Sequence, residues 1–448
     1  MASSSFMGSA RKQVEVNARL RLPRRRTRCS RRRRPEDAPS GQGAERSPHF
    51  GKLIASRLPV RPVRGGVVGS SKRGHAGTQS GHQRRAGAEV PGVLSLAHAT
   101  LGVVHAASLS VHAIGQALAW ARCGVQKHGI KQVDRLLSNE AVDVWKLAAS
   151  WVPYVLAERT EALVALDWTD FEADDHTSLV ASLVTSHGRT TPLLWMTLQK
   201  SALAGNRAHA EDELLPRLKE CVPEGVKVTV LADRGFADQR LYALLAQAGF
   251  EYVVRFRKDV RVEVAGGTGC PAAEWIPTSG HAKKLTDVHV TADRTPVPAV
   301  VLVRQKGMKE PWCLATSLGA SSARQVVDLH ARRFSCEETF RDVKDLRFGM
   351  GLSTVRVKSP ERRDRLLLVS ALAQVLLTLL GAAGESLGME KGLKANTVKT
   401  RTYSLFRQGC MYYQAIPMMK EERLRPLVER FAELLHQHPV FKEALGFI

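Results

Sequence analysis

The chain has 448 residues, 44% of them hydrophobic, and a formal net charge of +23. That length and apolar content allow two or three domains with at least one large buried core, which excludes a wholly disordered chain or a small disulfide-stapled one. The basic excess calls for an anionic polymer or surface as partner, and where the charge sits matters more than its total.

Residues 1–90 carry 21 Lys/Arg against 5 Asp/Glu, a net of +16, whereas the remainder carries 45 against 38, a net of +7. The stretch RRRTRCSRRRRP, residues 24–35, lies among Gly, Ser and Pro with almost no apolar periodicity. Such a segment cannot offset its ordering entropy by burial, so 1–90 is expected to be a disordered tail. It is a nucleic-acid-binding tail, an organelle-targeting peptide or a segment foreign to the native protein. No apolar run follows Met1 as a secretory signal would require. The seven cysteines are odd in number and form no CxxC pair. That argues against a disulfide framework or a zinc site and fits a reducing, intracellular compartment.

Residues 91–158 read as a small helical domain with the basic stretch VQKHGIKQVDRLLSNEAV, 125–142, in its middle, and are expected to bind DNA. His98, His105 and His112 recur every seven residues. With no fourth ligand in register, a polar helix stripe is expected rather than a metal site. From residue 159 the pattern changes. LVALDWTDF, 163–171, reads as a buried strand ending on carboxylates, and TSLVASLV and TPLLWMTLQ flank SHGRT as a hairpin. A helix over 212–221 leads to VKVTVLADRGF, 226–236, a second buried strand that ends on an acid, followed by the helix ADQRLYALLAQAGF and the strand EYVVRFR. This order predicts an α/β domain over 159–350, with a mixed sheet and helices packed against it.

Residues 259–309 are Gly- and Pro-punctuated and Val-rich, and read as a β-rich insertion. CLATSL then passes through Ser321 and Ser322 into a long helix. From 351 to 448 the chain reads as helical, a region expected to support dimerisation. Its apolar run LLLVSALAQVLLTLLGAA, 366–383, carries Ser370, Gln374 and Thr378 and reads as a buried core helix rather than a membrane span.

Asp167 and Asp233 each close an apolar run, where a sheet fixes the backbone and lets side chains emerge at its edge. In FSCEETFRDVK, 334–344, and the residue before it, helical spacing places Arg333, Glu337, Arg341 and Lys344 on one face. Taken alone this is a solvated face with i,i+4 ion pairs. Three carboxylates converging from separate elements would instead need cations to hold them. Oxygen-only ligation suits two Mg2+ or Mn2+ ions about 3.5–4 Å apart, acting on a phosphodiester.

ALDWTDF, LADRGF and the helical signature together resemble the DDE transposases of the insertion-sequence 4 type. In that signature Tyr, Arg, Glu and Lys are separated by two, three and six residues, which here falls on His330, Arg333, Glu337 and Lys344. The resemblance, over about 127–408, implies an RNase H-like fold interrupted by a β-rich insertion, with flanking helical regions. It implies Asp167, Asp233 and Glu337 as catalytic metal ligands, and His330, Arg333 and Lys344 as contacts to DNA near the cleaved end, with Arg341, on the same helical face, read as a further DNA contact. Glu337 is preferred over Glu338, which points about 100° away, and Asp170, Asp174 and Asp175 are further acids beside Asp167. His330 departs from the family's tyrosine. An aromatic residue of the insertion, Trp275 or Trp312, would stack on a flipped base.

The implied protein binds terminal inverted repeats of double-stranded DNA as a homodimer, cuts them and transfers the freed strand. It would sit in the cytoplasm with the nucleoid and need no membrane. The alternatives are a degenerate transposase that only binds DNA, or a nuclease on the same fold.

Overall fold

The computed structural model describes residues 83–203, 205 and 207–437, all within the unit Phe50–Ile448. The expectations for the tail over 1–82 lie outside the described residues. Four helices come first: α1 (Gln83–Ala106), α2 (Val111–Ala121), α3 (Gln126–Ser138) and α4 (Val144–Leu156). Helix α1 stops before Ala107, whose φ is 48°, and α2 leaves it at 99°. His112 therefore lies on a different helix from His98 and His105, and the seven-residue spacing makes no stripe. His98 instead meets Arg122 and Gln132, while His105 meets the Tyr413 hydroxyl. Helices α2 and α3 cross at Gly115 and Gly129. A Cβ on Gly129 would lie 2.3 Å from the Gly115 carbonyl oxygen, so the approach depends on glycine.

Strands β1 (Glu161–Phe171), β2 (His176–Val184) and β3 (Thr190–Gln199) form an antiparallel meander. Helix α5 (Arg207–Cys221) leads into β4 (Lys227–Ala232), and α6 (Gln239–Gln247) into β5 (Glu251–Phe256), with β4 and β5 parallel to β1. The order β3-β2-β1-β4-β5 is the expected RNase H-like core. The insertion supplies β6 (Arg261–Val264), β7 (Cys270–Pro271), β8 (Lys283–Val290) and β9 (Thr295–Val303). It extends the same sheet, because β9 pairs with β10 (Trp312–Thr316), which itself pairs with β5. Ten strands result, in the order β3-β2-β1-β4-β5-β10-β9-β8-β6-β7.

The sheet is covered on both faces, which explains why its central strands read as continuous apolar runs rather than alternating ones. On one face Val164, Leu166, Val230 and Ala232 pack with Leu214 of α5 and Leu241 of α6. On the other, Ala165, Leu231 and Val253 pack with Val326, Val327 and Cys336. Those last three belong to a rod made of α7 (Ala323–Ala331), a 3-10 turn (Arg332–Phe334) and α8 (Ser335–Lys344).

Three further helices follow: α9 (Pro360–Ser386), α10 (Leu405–Ala415) and α11 (Glu421–His436). Among the described residues α9 is long and apolar enough to cross a membrane, yet 61% of its apolar window is buried within the protein. It packs closely on α10, where a Cβ on Gly409 would lie 1.8 Å from the Leu377 carbonyl oxygen. Val369 and Leu377 of α9 share one apolar cluster with Val103 of α1, Val133 of α3 and Val343 of α8.

Candidate active site

The register of β1 on β4 sets the first two carboxylates side by side. Parallel pairing runs from Glu161 and Lys227 to Leu166 and Ala232, so Asp167 and Asp233 are the next residues on neighbouring strands. Alternation along each strand puts Asp167 on the face of Ala165 and Asp233 on the face of Leu231, the face that the α7–α8 rod covers. One expectation needs correction. β1 does not end at Asp167 but continues to Phe171, because its ladder with β2 persists as far as Phe171 and His176. Only β4 stops, and Asp233 then takes the N-cap position of a short 3-10 turn without capping it through its side chain.

Helix α7 starts from a capping box between Ser322 and Gln325. The 3-10 turn that follows carries Arg333 inward rather than outward. Its side chain is 4% exposed, with Nη1 donating to Asp167 Oδ2 at 3.2 Å and Nη2 to Glu337 Oε1 at 2.7 Å. One guanidinium thus ties a strand carboxylate to a helix carboxylate. Asp167 also accepts from the Cys336 thiol at 3.2 Å and from the Trp168 N–H at 3.0 Å. Burial nevertheless keeps the Asp167 pKa above the ordinary carboxylate value, with Arg333 opposing that rise and the Asp233 charge adding to it. For Asp233 burial also pushes upward, but the Arg234 N–H, Arg333 and Arg255 outweigh it, and the net shift is down. The charges of Asp167, Asp233 and Arg333 therefore act on one another across the sheet edge.

His330 and Arg333 correct the expectation of phosphate grips. His330 is 1% exposed, and its ring meets Trp312 edge-on at 5.0 Å. Its Nδ1 has no hydrogen-bond partner among the described residues. Burial, helped by the Arg333 charge, lowers its pKa to about 3, so it is neutral near pH 7 and unavailable to an anion. The tyrosine-to-histidine departure thus falls on a core position. Lys344 is half-buried and donates to Thr169 Oγ1 at 3.0 Å and to the Asp170 carbonyl, holding the overhang of β1. Arg341 is exposed but pairs with Glu338 at 2.9 Å rather than with Glu337.

The neighbouring acids are engaged elsewhere. Asp170 accepts from Thr177 and Lys200, Asp174 pairs with the buried Arg363, and Asp175 accepts from Gln199. Trp275 is half-buried against the core cluster, whereas Trp312 stacks on the partly exposed Phe334 at 5.9 Å, beside Arg333. Sequence reasoning misses three residues here: Cys336, Arg255 on β5, which reaches Asp233 Oδ1 at 3.4 Å, and Glu310, which Arg255 also contacts. No periodicity marks them, since each acts across elements that only the fold brings together.

Among the described residues, no group of three or more His, Cys, Asp or Glu side chains could hold an ion as placed. The chemistry of the donors still fits one. Asp167, Asp233 and Glu337 are oxygen donors from three elements, and the cation that now joins two of them is Arg333. Such a set suits a hard divalent cation.

Residues 158–376 match the family described as the transposase DDE domain. That span contains Asp167, Asp233 and Glu337 together with the inserted strands. A search of curated proteins finds no match.

Proposed function

We propose that this chain, whose residues 158–376 match the transposase DDE domain, is a DDE transposase of the insertion-sequence 4 type, binding the terminal inverted repeats of a mobile element, cutting them and joining the freed strand to new DNA. The observation that carries this reading is the Arg333 bridge between Asp167 on β1 and Glu337 on α8, with Asp233 in the adjacent register. A buried cation would not be spent on a surface-type ion pair; it holds two carboxylates in place that would otherwise repel.

Asp167, Asp233 and Glu337 are the residues that would hold a pair of magnesium or manganese ions, whose chemistry is to neutralise charge at a phosphodiester and activate the attacking oxygen. The chain's own contribution is orientation. Arg333 and Cys336 fix the Asp167 carboxylate, Lys344 fixes the strand beyond it, and the exposed Arg341 offers a guanidinium to a neighbouring phosphate. Trp312 and Phe334 form an aromatic pair against which a base could stack.

Recognition of the ends is assigned to α2 and α3. Their four-residue connection contains Gly124, and α3 buries Val133, Leu136 and Leu137 while exposing Lys127, Lys131 and Arg135. A helix held by a glycine crossing, with a basic outer face, is suited to a DNA groove.

The test uses a labelled duplex carrying the inverted repeats that flank the gene. D167N, D233N and E337Q should each lose metal-dependent cutting while keeping end binding, because the amide removes charge but preserves shape. Wild-type cutting by any one variant would remove that residue from the site, and cutting without joining would indicate a nuclease.

A further inference from the structure

Beside Asp233, two guanidiniums converge on one oxygen atom. Arg234 Nη1 and Arg255 Nη2 each lie 2.9 Å from Glu310 Oε2. Arg234 follows Asp233 directly, Arg255 stands on the neighbouring strand β5, and Glu310 comes from the 304–311 connection between β9 and β10. Arg255 also contacts Asp233 Oδ1 at 3.4 Å, and its buried Nε has no partner among the described residues.

A structural ion pair accounts poorly for this arrangement. Glu310 is 54% exposed, and exposed pairs contribute little to stability. Arg255 is held at 14% exposure with donor capacity unused, which costs desolvation that a solvated carboxylate repays weakly. Two arginines sharing one anionic oxygen are instead the geometry that recognises phosphate. A partly exposed carboxylate on a connecting loop is an anion that can be displaced.

We propose that Arg234 and Arg255 form a binding site for a DNA backbone phosphodiester next to Asp233, and that Glu310 occupies this site when DNA is absent. The proposal rests on the transposase reading and adds to it a competitor built into the inserted strands. Binding of an end then requires Glu310 to withdraw, so the acidic loop lowers the affinity of DNA that must reach both arginines. No covalent step is involved. Glu310 exchanges places with a phosphate oxygen, and the arginines keep a partner throughout.

The experiment measures anisotropy of a labelled duplex carrying the flanking inverted repeat, and of a mixed-sequence duplex, across a salt series without divalent metal. Arg234 and Glu310 are about half exposed, at 50% and 54%, so substitution there should leave folding intact. E310Q is expected to tighten binding of the repeat duplex by roughly three- to tenfold. R234A should weaken it and reduce the salt slope by about one, as loss of one phosphate contact does. The E310Q gain should shrink in an R234A background, since one of the arginines that it frees is gone. An E310Q affinity equal to or below wild type, or an unchanged R234A slope, overturns the proposal. If the wild type cuts repeat ends while both variants bind normally, only this proposal fails. A wild type that binds neither duplex removes it along with the transposase reading.

Discussion

Replacing Arg333 by alanine removes a guanidinium that touches both Asp167 and Glu337. The two links are unequal. The Glu337 side chain is 50% exposed, so its share is that of a surface pair, at most about 1 kcal/mol. Asp167 is 19% exposed and Arg333 only 4%, and breaking a mostly buried pair costs about 3–5 kcal/mol. Asp167 limits that loss by taking up a proton. Burial already raises its pKa, and Arg333 is the largest influence opposing the rise, so the variant's folded pKa moves higher still. A carboxyl whose folded pKa lies above its unfolded one makes stability fall as pH rises through the interval between them, by about 1.4 kcal/mol per unit. Below the unfolded value the penalty is absent. R333A should therefore lose about 3–5 kcal/mol at pH 7.5, and measurably less at pH 5. Denaturant titrations of the full chain at these two pH values, for wild type, R333A, D167N and the double variant, give the comparison. The double variant should recover more than half of the loss, because the carboxylate that needs a counter-charge is gone. Wild-type and R333A stabilities that run parallel with pH, or no recovery by D167N, would refute the assignment of Arg333 as the buried partner of Asp167.

His330, with its pKa lowered to about 3, binds a proton more readily when unfolded, so stability should fall as pH drops from about 6.5 toward 3, by up to about 1.4 kcal/mol per unit. H330F should flatten that acid limb and leave the affinity for DNA unchanged between pH 6 and 8, which denaturation and anisotropy can read separately. G409A should destabilise the protein by about 1–3 kcal/mol or more, since its methyl would meet the Leu377 carbonyl; a melting temperature equal to wild type would contradict the α9–α10 crossing. K131A, on the exposed face of α3, should weaken end binding and lower the salt slope by about one without altering the melting temperature. Deleting residues 1–82, which hold most of the net charge, should flatten the salt dependence of binding to mixed-sequence DNA while metal-dependent cutting of ends persists.

Much of the local architecture is legible in the residue order. The apolar runs that become β1, β4 and β5 carry enough Val and Leu to read as buried strands, and the hairpin of β2 and β3 is marked by SHGRT between them. The Ser321 and Ser322 region announces the start of α7, whose N-cap is Ser322. The i,i+4 spacing of Arg333 and Glu337 correctly predicts that they touch. These features depend on periods of two and 3.6 and on cap chemistry, all of which act over a few residues.

What the sequence leaves open is what packs against each face. A cation four residues before a carboxylate reads equally as a solvated pair or a grip for phosphate, and only the sheet beneath α8 decides that Arg333 turns inward to Asp167. The same packing buries His330 under Trp312. The ladder with β2 carries β1 past Asp167, a length set by pairing between strands rather than by the strand's own residues. The inserted strands join the main sheet because β9 finds an edge on β10, and their connection then brings Glu310 to Arg234 and Arg255. Local periodicity specifies which residues share one side of one element. Burial, and with it the sign of a pKa shift and the partner of a charge, depends on contacts between residues as far apart as Asp167 and Arg333, and those arise only when the chain closes on itself.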